Sequence, residues 1–216
     1  MSNRSLDYSQ RYFVASVYRF MRNFLERHQG HLVDEDFFKP VADRIPLKTL
    51  RKIFNASAAP SIRRVVLRLD KKEKISLEGE DPDRILLRLW EHPTTNQKLR
   101  VELMKYLDSE LAEFQASLKE DPAPDEQRFQ ELKAFFKLSD PECDLLLLSR
   151  MAEGFWACDD LRGKLSYGKF NRFASLLGIE EGTFQQISNE ESRLRKLECI
   201  DEDLDFNRKL LPFLSG

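Results

Sequence analysis

Histidine and cysteine are scarce in this 216-residue chain, at three each, and tryptophan occurs twice. Cys143, Cys158 and Cys199 are odd in number and far apart, which argues against a disulfide framework and reads as reduced thiols of a cytoplasmic protein. His28 and His31 flank Gly30 at a helix end and His92 precedes a proline, with no cysteine near them, so no metal-ligand spacing emerges. Long apolar runs are absent too. Leu145 to Leu148 is the longest run of leucines, and the polar start from Met1 to Gln10 has no apolar core of a secretory signal. Neither sign of charge dominates: 35 Lys and Arg stand against 37 Asp and Glu, a net −2.

What is present is enough to fold. Apolar residues make up 41% of the chain and include 16 Phe, which offsets chain entropy and excludes a disordered class. This length can bury one large core or two small ones.

Helix signals dominate the pattern. Asp7 with Gln10 resembles a capping box, and Phe13, Val17, Phe20, Met21, Phe24 and Leu25 then recur at helical spacing to an end near Gly30. Pro46 suits a first turn ahead of Leu47, Leu50, Ile53 and Phe54, and residues 55–60 read as a linker. Residues 61–78 fit either a helix face (Ile62, Val65, Val66, Leu69) or a β-hairpin. Their β-branched content, and the unpaired ladder a lone strand would leave, favour the hairpin. Asp81 and Pro82 open a helix with Ile85, Leu86, Leu89 and Trp90 that stops before Pro93. A long amphipathic helix follows, carrying Leu99, Leu103, Leu107, Leu111, Phe114 and Leu118.

The Pro- and Asp-rich stretch 119–125 is a candidate boundary between a helical N-terminal domain, 1–120, and a smaller winged-helix-like domain, 125–216. In the second part, Phe129, Leu132, Phe135 and Phe136 mark one helix. Ser139 and Glu142 form a capping box ahead of Leu145 to Trp156. Ser166 can start a helix with Phe170, Phe173 and Leu177 that ends at Gly178, and Phe184 and Ile187 belong to the helix after that turn. Ser188 with Glu191 makes a further cap, and Leu194, Leu197 and Ile200 lead to an acidic turn. Helix, glycine turn, helix and a short extended piece is the order of a winged helix. The fold class expected is therefore mainly α, with at most one hairpin.

Candidate chemistry is sparse. Gly163 to Lys169 matches the glycine and lysine spacing of a phosphate-binding loop, but position 170 is Phe where a Mg²⁺-holding hydroxyl is needed, and no buried strand precedes it. We read it as a chance match. Cys143 lies in a first helical turn without a histidine to activate it. No catalytic, metal or cofactor residue is assigned, and the chain itself is not read as an enzyme.

The basic stretch 41–74 carries more weight. Arg44, Lys48, Arg51, Lys52, Arg63, Arg64, Arg68, Lys71, Lys72 and Lys74 are ten cations against Asp43, Asp70 and Glu73, a net +7. With Arg193, Arg195 and Lys196, the residues from Arg63 onward form the candidate contact for nucleic acid or for an acidic partner. Against nucleic acid, the helix after Gly178 would lead into a groove with Glu180 and Glu181, which phosphates repel.

From Leu138 onward the chain resembles the region just upstream of the ATPase module in bacterial AAA-family ATPases. The likeness rests on Leu138 and Ser139, Glu142, Asp144 to Leu147, Leu177 to Ile179, Ile187 and Ser188, Ser192 to Leu194, Leu197, Ile200 and Asp201, and Leu210 to Leu214 with Gly216. The resemblance implies a recognition or regulatory region that acts through protein–protein contacts, with ATP hydrolysis belonging to a downstream module absent from these residues. A nucleic-acid-binding protein that uses the basic patch and a winged helix is the alternative. No membrane partner is expected.

Overall fold

The computed structural model describes residues 8–28, 33, 37–59, 62–63, 81–154 and 169–215. Its first helix, α1 (Tyr8–Arg27), carries one broad apolar face on which Val14, Val17, Tyr18, Phe20, Met21, Phe24 and Leu25 are all buried. It runs through the middle, packed against α5 (Pro93–Glu120) on one side, and against α6 (Pro124–Phe136) and α8 (Lys169–Leu177) on others.

Around α1 the remaining elements follow in short order. They are α2 (Lys39–Ala42), α3 (Leu47–Ser57), α4 (Pro82–Glu91), α7 (Asp140–Gly154), α9 (Glu181–Ser188), α10 (Arg193–Lys196), a 3₁₀ turn at Arg208–Leu210 and α11 (Leu211–Ser215). The protein is mainly α-helical. Among the described residues the sole β pairing is an isolated antiparallel bridge between Ile200 and Phe206, and no helix is long and apolar enough to cross a membrane. The hairpin expected over 61–78 lies outside the described residues, apart from a helical turn at Ile62 and Arg63.

Aromatic packing holds the first half together. Phe24, Phe37, Phe38 and Trp90 pack with ring centroids 4.5 to 6.2 Å apart, joining α1, the start of α2 and α4. Burial contributes about 1.5–3 kcal/mol for a side chain of this kind. The α4–α5 corner at His92 is closed by two buried side chains: Thr95 Oγ1 donates to the Leu89 carbonyl and Asn96 Nδ2 to that of Trp90 at 2.7 Å, so the last carbonyls of α4 stay bonded.

The core does not stop at the turn 121–123. Ala123 is fully buried there, and the buried residues form one cluster from Val14 to Leu214. The helices on either side of that turn, α5 and α6, both pack against α1.

Local signals explain the later elements. Ser139 N–H and Oγ both donate to Glu142 Oε2 at 2.8 Å, which fixes the start of α7. The next cap differs from expectation. Ser188 closes α9, and it is Ser192 whose side chain accepts the Arg195 N–H and starts α10. Between α8 and α9, Gly178 has φ +71, and a Cβ there would lie 2.8 Å from Asn23 Nδ2, a group that donates to the Leu176 carbonyl.

Two glycines therefore behave oppositely. Gly178→Ala is expected to cost about 1–3 kcal/mol, from left-handed strain plus displacement of Asn23. Gly182, in the first turn of α9, has nothing within 4 Å of its would-be Cβ. Gly182→Ala should stabilise by about 0.5–1 kcal/mol. Urea unfolding of the two variants checks both signs, and equal effects would refute the account of the α8–α9 turn.

Candidate functional site

Of the sequence-derived contact residues, the structure describes Arg63, Arg193, Arg195 and Lys196. Arg64, Arg68, Lys71, Lys72 and Lys74 lie outside the described residues, as does the phosphate-loop-like segment apart from Lys169, which begins α8. Arg63 turns back on α3: its guanidinium donates to the carbonyls of Ala58 at 3.1 Å and Asn55 at 3.4 Å and sits 5.9 Å from the Phe54 ring centre. Lys48, Arg51 and Lys52 stay exposed on the outer face of α3, beside half-exposed Leu47.

In the second half, Arg193 donates to the carbonyl of Lys137 at the end of α6, and Lys196 pairs with Glu191 at 2.6 Å. Arg195 borders an open depression of about 760 Å³ rimmed mainly by acids: Glu198, Asp201, Glu202, Asp203 and Asp205. Asp201 Oδ1 accepts the N–H groups of Asp203 and Asp205, which makes this a hydrogen-bonded turn. Among the described residues no group of three or more His, Cys, Asp or Glu side chains is placed to hold a metal ion.

Titratable groups converge elsewhere, in a cleft of about 270 Å³ where α1, α5, α6 and α7 meet. Arg19 holds Asp144 through two bonds, at 3.0 and 2.7 Å, and Lys133 is bonded to Asp140. That bond lifts the ammonium of Lys133 and lowers the carboxyl of Asp140. Burial raises the Tyr12 phenol, and burial with the neighbouring Asp144 pushes the Cys143 thiol up to about 11. A thiol at that value is protonated at neutral pH, which is the opposite of an activated nucleophile. Cys199 is held near 11 for the same reason, burial first and then Glu142. Glu126 also faces the cleft, and its Oε2 is buried without a hydrogen-bond partner. Two ion pairs, a protonated thiol and one orphaned carboxyl oxygen make a helix junction in which no nucleophile stands beside a base.

Sequence reasoning missed this cleft, because its parts come from four helices and no local spacing links Tyr12 to Glu126 or Asp144. It also passed over Phe37, Phe38 and Val41, which are buried with α2 although only Pro40 marks that helix. Phe135 was counted with the apolar face of α6, yet it is 79% exposed. No family model, curated protein or solved structure matches this chain.

Glu126 gives the site a testable pH dependence. Burial holds its carboxyl above the ordinary range, so the folded protein binds this proton more tightly than the unfolded chain. Its contribution to stability is therefore lost as pH rises from the ordinary value of about 4.3 through the raised folded value. Glu126→Gln should raise the melting temperature at neutral pH and change it little below about pH 4, where both side chains are neutral. An equal shift at both pH values would show that the ionised carboxylate carries no burial penalty.

Proposed function

We propose that the chain is a non-catalytic recognition or regulatory region that acts through protein–protein contacts and works with an AAA-type ATPase module, which would supply ATP hydrolysis. In this reading α7 to α10 with the Ile200–Phe206 bridge form a winged-helix-like unit with a minimal wing. The association with an ATPase rests on the residues from Leu138 onward that resemble the segment preceding such modules.

The observation that carries protein rather than nucleic-acid recognition is the leading end of α9. Glu180 and Glu181 stand exposed there, Glu180 paired with Arg27 at 2.9 Å, and Gln185, Gln186 and Asn189 continue the exposed face. Amide side chains can read bases, but two carboxylates at the point of entry oppose the phosphates that must be approached first. Of the three cations that follow α9, Arg193 and Lys196 are engaged within the chain and Arg195 borders the acid-rimmed depression.

One observation favours the second reading, nucleic-acid binding: the exposed Lys48, Arg51 and Lys52 on α3 belong to the net +7 stretch 41–74. Binding of labelled duplex and single-stranded DNA and RNA at about 50 and about 200 mM salt separates the two. We expect weak binding at both. Tight binding at low salt that collapses at high salt, and that is lost when Lys48, Arg51 and Lys52 become Glu, would replace the protein-recognition reading. The ATPase association is tested by the coding sequence that follows Gly216, where a glycine-rich nucleotide-binding motif is expected and a stop codon would count against it.

A further inference from the structure

We propose that the cleft where α1, α5, α6 and α7 meet binds a small primary ammonium group, with the Glu126 carboxylate as its counter-charge and Tyr12 beside it. The proposal goes beyond the function proposed above, and neither rests on the other.

Leu111, Gln115 and Leu118 line the cleft from α5, and Glu126, Gln130 and Lys133 line it from α6. Each set is spaced by four and then three residues, so each forms a stripe two helical turns long, about 10 Å. Tyr12 and Ala15 of α1 add a third wall. The volume of about 270 Å³ lies below that of drug-sized sites and equals roughly nine waters at about 30 Å³ each, room for a short amine.

Charge inside the cleft is answered at every place but one. Among the described residues that line it, Arg19 and Lys133 stand against Glu126, Asp140 and Asp144. Asp144 holds Arg19 through two bonds and Asp140 holds Lys133, which leaves Glu126. Lys133 cannot serve it as well, because it stands two turns further along α6, about 10 Å away. Among the described residues no group donates to the buried Oε2 of Glu126, and burial is the cause that raises this carboxyl. An ionised carboxylate so placed costs stability, and a cation set against that oxygen removes the cost.

The surroundings choose among cations. One buried oxygen offers a single acceptor, which suits the point charge of an ammonium better than the two-pronged guanidinium. The Tyr12 phenol lies near enough to Glu126 to feel its charge. Its ring, packed with Phe13 at 5.7 Å and Phe129 at 6.3 Å, supplies the aromatic surface that attracts a desolvated cation. Ala15, Leu111 and Leu118 give a short alkyl chain apolar surface to cover. Phosphate and other anions are repelled by the same unanswered carboxylate.

Isothermal titration of the full chain with n-butylammonium chloride tests the site, at about pH 8 where carboxylate and ammonium are both charged. A saturable isotherm with a dissociation constant of about 1 mM or below is expected, and n-butanol should bind at least about tenfold more weakly. Glu126→Gln should weaken n-butylammonium binding about tenfold or more. That variant is expected to melt higher at neutral pH, so its loss of binding would not be a loss of fold. Glu131→Gln removes an exposed carboxylate from the same helix outside the cleft, and should leave binding unchanged. Nα-acetyl-lysine methylamide distinguishes the sources of the ammonium. Tighter binding than n-butylammonium points to a lysine side chain of a protein, weaker binding to a free amine, and both support the site. No binding up to about 20 mM n-butylammonium, or equal binding of n-butanol, overturns the proposal. So does undiminished binding by the Glu126→Gln protein.

Discussion

The structure depends on one helix whose two faces both meet partners. The apolar side chains of α1 bury on one broad face, and helices from both ends of the chain pack against it. Polar side chains on the opposite side of the helix reach different elements: Arg11 to Ser117 on α5, Arg19 to Asp144 on α7, Asn23 to the Leu176 carbonyl on α8, Arg27 to Glu180 ahead of α9. Magnitudes decide what each set does. Seven buried apolar side chains at about 1.5–3 kcal/mol each supply the cohesion. Part-exposed ion pairs at about 0–1 kcal/mol each supply little of it. Their role is register: each bond fixes how far its neighbour can slide or rotate along α1.

Arginines at helix ends form a second theme. Arg100 donates to the carbonyls of Leu25 and His28 at the end of α1 while lying 4.3 Å from the Trp90 ring centre; Arg63 does the same for α3, Arg193 for α6 and Arg128 for α11. The last carbonyls of a helix lack intrahelical donors and carry the negative end of its dipole, and a guanidinium satisfies both. This explains why counting cations along the sequence separates poorly those that meet a partner from those that finish a helix. A carbonyl does not neutralise a guanidinium, however. These arginines still contribute positive potential, held at fixed positions.

The helical class, the capping box at Ser139 and Glu142, the proline start at Pro82 and the glycine stop at Gly178 were all legible, because each is written within a few neighbouring residues. The periodic leucines Leu99, Leu103 and Leu107 were legible for the same reason and are buried. Three features were not. Phe37 and Phe38 precede a helix of four residues, too short to show a period. The cleft at Glu126 depends on which helices meet, which no local pattern encodes. Phe135 follows Leu132 at the helical spacing of three, but periodicity cannot say where the neighbouring helices leave α6 uncovered.

Three helix ends show how tertiary surroundings choose a residue that local geometry leaves open. α6, α8 and α10 each end with the paired bonds of a Schellman turn: Leu138 to Lys133 and Lys137 to Ala134; Ile179 to Ala174 and Gly178 to Ser175; Cys199 to Leu194 and Glu198 to Arg195. All three turns need a left-handed residue, at φ 52, 71 and 53, yet only the middle one has glycine. The backbone penalty for a side chain in this region, about 1 kcal/mol, applies at all three. What differs is the space beyond the Cβ. At Gly178 the Asn23 side chain lies in the way and is itself bonded to the same turn, so a side chain meets strain and obstruction together. Lys137 and Glu198 are exposed and meet the backbone cost alone. Freed of the steric constraint, these two positions carry charges of opposite sign, one where Arg193 from the start of α10 meets α6 and the other just past the end of α10. Glu198 uses its charge to hold Lys209 at 3.4 Å, so a turn that did not have to be glycine gains a link to the 3₁₀ turn at Arg208–Leu210.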